Sequence, residues 1–312
     1  MPKTGLLRLN HEMDRLIPVI TPLSVALGLL FPEFFLPLLP HVVMLFAIMT
    51  FSGALKLTFF ELGTAVRTPA PIILFFFSAH VIMPLAAFFF SSRFITNPDT
   101  IAGFVLLFAG PTAVSGFIWT SIFKADKALG LSLILIDTIL APLVVPGTLS
   151  ILVGAKIAMD MRGIAISLLI MVVVPTIIGV AINEISKGAV PKKICPAVDP
   201  FAKFCLMLVI AANSAAIAPI VKFNDPLLWK VGALCLFLTS SGFLLAKANG
   251  FAARCGKEKT AALIIAGGLR NNSAVMTIAV NFLPEAAVLP TLMSIILQQT
   301  IAAVMGKLII RR

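Results

Sequence analysis

The sequence predicts an all-α membrane protein of ten transmembrane helices in a 5+5 inverted repeat, with the fourth and ninth helices broken. Three observations carry this: a composition starved of charge, ten apolar runs of spanning length, and a charge bias that alternates from loop to loop. Of 312 residues, 60% are apolar and 12% are charged. A water-soluble domain carries roughly a quarter charged residues, so about half the expected charge is missing.

A helix needs about 20 apolar residues to cross a bilayer. Runs of that kind lie at 16–35, 40–57, 69–90, 101–123, 128–153, 163–182, 200–221, 227–245, 260–282 and 286–310. The connections are short, mostly under about 15 residues, and leave no room for a soluble domain. The first run lacks a small-residue cleavage site and leads into the second, so it is expected to be a retained helix. Lys and Arg, counted on alternate sides of the runs, number eighteen on one side and five on the other, with Arg270 inside a span. That bias places both termini in the cytoplasm and the chain in the inner (plasma) membrane. Two termini on one side require an even number of spans, which agrees with ten.

The net charge of +11 has the same origin. The basic residues sit singly in loops and form no stripe, which excludes nucleic acid as a partner. Cys195, Cys205, Cys235 and Cys255 form no CxxC pair, so neither a disulfide framework nor a zinc site is expected. His11, His41 and His80 are far apart in sequence and suggest no metal site.

The chain also repeats. Pro18 and Pro175 are 157 residues apart, as are Gly110 and Gly267, within the strings FAGP and IAGG. The halves are therefore 1–158 and 159–312. Five spans per half is an odd number, so the second copy is inverted, a common build for secondary transporters.

Interruptions recur at matching places. The fourth run contains Gly110-Pro111-Thr112 and the ninth Gly267-Gly268. Proline lacks the amide hydrogen and glycine favours unwinding. Broken helices expose main-chain N–H groups and positive dipole ends, which suit an anionic group; close helix contact is the other use of such residues. Polar residues follow each break: Thr112 and Ser115, then Arg270, Asn271, Asn272 and Ser273. A central arginine costs about 2.5–3.5 kcal/mol on insertion scales and demands a partner or a polar cavity. Asp137 is the one acidic residue placed deep in a run. Two uses of the two charges are open. They form a fixed ion pair, or Arg270 receives a substrate carboxylate while Asp137 orients it or takes up a coupling proton. His80 is a candidate for a proton relay or for a donor to a neighbouring carbonyl, the latter favoured. Asn213, Ser214, Gln298 and Gln299 are read as interhelical glue.

No phosphate-binding loop, HExxH or GxSxG is present. Neither an enzyme nor a cofactor is expected. The segment GPTAVSGFIWTSIFKADKALGLSLILIDTILAPLVVP at 110–146 and LRNNSA at 269–274 resemble the bile acid:sodium symporter family, in its bacterial branch. Weaker likenesses are SGALKLTFFELG at 52–63 and HVIMPLAA at 80–87. The resemblance implies a panel domain, a core domain, and a substrate site beside the crossing of the fourth and ninth helices. Organic anions are the implied cargo, and Thr112, Ser115, Gly116, Asn271 and Asn272 are the implied residues nearest the crossing.

The chain departs from the family where sodium is held. A glutamate four residues before a ninth-helix glutamine becomes Ala266 before Arg270, the polar pair after the fourth-helix break becomes Gly116 and Phe117, and early fifth-helix hydroxyls become Gly130 and Ile134. An arginine brings its own positive charge to such a site and opposes sodium. The expectation is a sodium-independent carrier of a small organic anion. The alternative is an inorganic cation/proton exchanger of similar build, for which one aspartate is a thin supply of ligands.

Overall fold

The computed structural model describes residues 2–58, 69–114, 116–154, 159–222 and 224–310. In chain order the helices are α1 (Pro2–Leu30), α2 (Pro32–Ala54), α3 (Pro69–Phe94), α4 (Pro98–Ala109), α5 (Gly116–Ile122), α6 (Lys127–Leu152), α7 (Met161–Ile185), α8 (Ala189–Ala216), α9 (Pro226–Ala252), α10 (Lys257–Gly268), α11 (Asn272–Phe282) and α12 (Glu285–Ile310). Among the described residues all regular structure is helical, apart from one isolated β-bridge. Side-chain caps set several starts. Asn97 accepts from the amides of Asp99 and Thr100, with Pro98 in the first turn. Asp126 caps α6 through Leu129 N and Asp225 caps α9 through Leu227 N. Proline has no first-turn amide to waste, so Asn-Pro and Asp-Pro pairs start helices well.

Seven helices (α2, α3, α6, α7, α8, α9 and α12) are long and apolar enough to cross a membrane by length and composition. The difference from ten has two causes. The first half of α1 carries Lys3, Arg8, Glu12, Asp14 and Arg15, leaving Val19–Leu30 as a shorter apolar helix. The fourth and ninth runs are each divided between two short helices. Exposed side chains such as Leu143, Ile151 and Ile185 suit lipid rather than water.

The chain forms two compact units, Met1–Phe59 with Ser167–Pro219, and Phe60–Ile166 with Ile220–Arg312. Neither coincides with a half of the chain; each draws on both. In the first unit α1 packs on α8 where Gly28 lies against the Ala211 carbonyl, and α2 packs on α7 where Gly179 meets Phe51 and Ala54. Asp199 corrects an expectation here. The seventh run was expected to begin at Pro200, yet α8 starts at Ala189, so Asp199 is a second acidic residue buried within a helix. Lys56 Nζ lies 2.9 Å from its carboxylate and Ser52 Oγ donates to it at 2.8 Å, which meets the need of a buried charge for partners. The charged sequence around Lys192 and Lys193 hid the helix.

In the second unit Phe75, Leu133, Phe243 and Leu263 form a dry core between α3, α6, α9 and α10. Within α3, Ser78–Ile82 is a π-turn. Pro84 explains its position: it cannot donate to the carbonyl four residues back, that of His80, and a wider turn absorbs the mismatch. Gly103 of α4 lies against the main-chain carbonyl of Ala287. A methyl there meets backbone that cannot swing aside. Gly103→Ala should therefore lower stability by about 1–3 kcal/mol. Gly147→Ala, with nothing within 4 Å of the new methyl, should be neutral or raise it by up to about 1 kcal/mol. Thermal unfolding of both variants in detergent checks the contrast.

Candidate functional site

Helix α4 stops at Ala109 because Gly110 precedes a proline, and a residue before proline is driven to extended backbone. Gly110 indeed has φ −58° and ψ 152°. Helix α10 stops at Gly268, with Leu269 extended at φ −107° and ψ 118°. The two interruptions lie antiparallel and exchange main-chain hydrogen bonds. Ala113 N donates to Leu269 O at 3.1 Å, and Asn271 N donates to Pro111 O at 2.8 Å. Thr112 and Arg270 are thus paired in the isolated bridge.

In this register Thr112 and Arg270 are a non-hydrogen-bonded pair, so their own amides point outward to the bridge's edges. Both amides have partners. Thr112 N donates to Asp137 Oδ2 at 2.8 Å. On the other edge Arg270 N donates to Gln298 Oε1 at 3.0 Å, and Gln298 Nε2 returns a bond to Arg270 O at 2.9 Å. Thr112 Oγ1 further donates to Ala266 O at 3.1 Å.

The charges are arranged around this bridge. Asp137 is fully buried on α6, and its second oxygen lies 2.8 Å from His80 Nε2. The His80 ring stacks on Phe76, with centroids 5.5 Å apart, and its Nδ1 has no hydrogen-bond partner. Arg270 is 3% exposed. Its guanidinium donates to Gly110 O at 3.3 Å and to Ala79 O at 3.4 Å. The pairing weighed between Asp137 and Arg270 is therefore not a direct contact. The carboxylate is taken by Thr112 and His80, while the guanidinium occupies carbonyls that the end of α4 and the π-turn leave without a full helical complement. His80, favoured as a donor to a carbonyl, faces the carboxylate instead.

The remaining expected residues divide. Gly116 opens α5 among Ile134 and Ile265, and its amide donates to Ala113 O. Asn271 caps α11 by accepting from Ala274 N at 3.3 Å. Asn272 is buried, donates to Ser294 Oγ at 2.9 Å, and keeps Oδ1 without a partner. Ser115 lies outside the described residues. Gly267 and Gly268 were expected to unwind the helix, but they are its last helical residues. Their use is close approach: an added Cβ meets Ala246 at one and the Phe243 ring at the other. The break falls one residue later. Gln298, expected to be mere glue, is the residue that closes the bridge; its signal was an amide in an apolar run, and nothing local says that its partner is main chain.

A multi-pass helical membrane protein with crossed breaks at its polar centre belongs to the class of secondary transporters of small solutes. The comparisons give the family. Residues 42–222 match the Sodium Bile acid symporter family. The chain is 37% identical over 296 residues to the uncharacterized protein YbaS of Bacillus subtilis (strain 168), covering 95% of this chain and 97% of that one. It is 26% identical over 213 residues to the "Probable sodium/metabolite cotransporter BASS1, chloroplastic" of Arabidopsis thaliana, 67% of this chain and 53% of the relative. The "Uncharacterized sodium-dependent transporter YocS" of Bacillus subtilis is 22% identical over 211 residues, 68% of this chain and 64% of its own. The chain spans about half the length of the chloroplast relative. This chain belongs to the Sodium Bile acid symporter family, whose members are transporters and not enzymes.

Because Gln298 is the partner of the Arg270 amide, while the Arg270 carbonyl also accepts from Asn272 N at 2.9 Å, Gln298→Ala should lose about 1–3 kcal/mol for the one amide left buried and unpaired. Gln299→Ala, which removes a single part-buried bond from Trp119, should cost less. Unfolding midpoints of the two variants measure the difference.

Proposed function

We propose that this protein carries a small organic anion by alternating access without sodium, Arg270 supplying from within the charge that sodium would bring. The observation that carries this is the Arg270 guanidinium seated on the carbonyls of Gly110 and Ala79. Main-chain oxygens are the ligands a hard cation takes, and here a built-in cation holds them. Ala266, where family members carry a glutamate, offers no carboxylate. Thr112, Ser115, Gly116, Asn271 and Asn272 are assigned to the anion's surroundings, with Arg270 acting as its counter-charge across a low-dielectric gap. Asp137 and His80 are assigned to coupling.

The same reading takes ten spans in two inverted halves, a panel and a core, both termini in the cytoplasm and the inner membrane as the location. Support comes from the two breaks, nearly half the chain apart, and from units that each draw on both halves. A sodium-coupled carrier is the second reading, favoured by what BASS1 and YocS are called.

Thermal stabilisation of the detergent-purified protein decides between them. A carboxylate present at a hundredfold its dissociation constant should stabilise the wild type by about 2.7 kcal/mol. The shift should be the same with and without sodium, and Arg270→Ala should abolish it. Stabilisation by sodium alone, or a mutant that keeps its ligand, overturns the proposal.

A further inference from the structure

We propose that His80 and Asp137 together bind a coupled proton, so that one proton crosses with each singly charged anion. This rests on the carrier reading above and assigns its coupling ion. His80 Nε2 and Asp137 Oδ1 are 2.8 Å apart, and the two side chains are 9% and 1% exposed. An imidazolium has two N–H groups to satisfy. Here Nε2 lies 2.8 Å from Asp137 Oδ1, yet by hydrogen-bond geometry neither ring nitrogen nor that oxygen has a partner, and all three are buried. The ring is therefore not locked in its charged form by a second acceptor, and the pair is free to gain or lose a proton.

The surroundings make that proton count. Asp137 faces one titratable group, His80, and one fixed charge, Arg270. From the break after α4 come the Gly110 carbonyl and the Thr112 amide, and from α9 comes Asn249, bonded to Ser78 Oγ at 2.6 Å and so holding the π-turn. With His80 neutral, Asp137 and Arg270 cancel. With one proton bound, the cluster carries a single positive charge, and a monoanion restores neutrality. Proton and anion then favour each other's binding, and the coupling is reciprocal. The charged ring also gains from the face of Phe76. The other oxygen of Asp137 holds Thr112 N at the break, so the charge on the pair acts next to the bridge.

The full chain with His11→Gln and His41→Gln keeps His80 as its one histidine. Labelled with 15N-histidine in phosphatidylethanolamine–phosphatidylglycerol nanodiscs, its imidazole nitrogens should report one protonation change across the pH range in which the protein stays folded. Asp137→Asn should displace that change. An imidazole signal constant across the range overturns the proposal. For any anion that passes the stabilisation screen, uptake into liposomes of the same lipids should accumulate it roughly tenfold per unit of inward acid gradient. Uptake should ignore membrane potential, and His80→Gln should lose the gradient response. Accumulation that follows sodium or potential overturns the proton site while leaving a carrier. If no anion passes the screen, the carrier reading fails and the titration alone decides the proton site.

Discussion

The arrangement of this protein's polar centre follows from one requirement: main-chain amides and carbonyls freed by a helix break must find partners where water is scarce. Each unpaired group in such surroundings costs several kcal/mol. Two breaks laid antiparallel solve half of the problem, because each supplies the other with a donor and an acceptor at Ala113–Leu269 and Asn271–Pro111. What remains is a miniature sheet with two edges, and an edge is itself a row of unpaired groups. Asp137 covers one and Gln298 the other.

The charges then follow. A carboxylate recruited to cap an amide is buried and needs positive neighbours. His80 meets it directly, and Arg270 offsets it from the far side while tying the Gly110 and Ala79 carbonyls together. Architecture and electrostatics are thus one problem at this site. Asp137 closes the backbone at Thr112 and Arg270 closes it at Gly110 and Ala79, with His80 against the carboxylate.

Much of this was legible in the sequence, and the rest was hidden for physical reasons. Apolar runs, the Gly-Pro break and the RNNS string are local signals, and they mark the right region. Of the uses left open for Arg270, a direct contact with Asp137 is not the one seen, because a guanidinium can equally saturate carbonyls, and carbonyls belong to every residue. Gln298 was visible as an amide but not as a cap, since its partner is main chain 28 residues away. Gly267 and Gly268 fit either unwinding or close helix contact, and they lie against Ala246 and Phe243 of α9; composition cannot separate the two. The depth of Asp199 was concealed by lysines that mark a membrane boundary in sequence but ride on a continuing helix.

The bridge between Thr112 and Arg270 also bears on how such a chain can change over time. Paired extended segments alternate their faces residue by residue, so inserting or deleting one residue on either side reverses every group beyond it. Between α4 and α5, or between α10 and α11, such a change turns the edge that Asp137 holds toward the wrong neighbours. A substitution at the crossing leaves that alternation intact. A change in the number of residues between the helices does not. In this molecule the pairing constrains the length of the two breaks more strictly than the identity of the side chains around them.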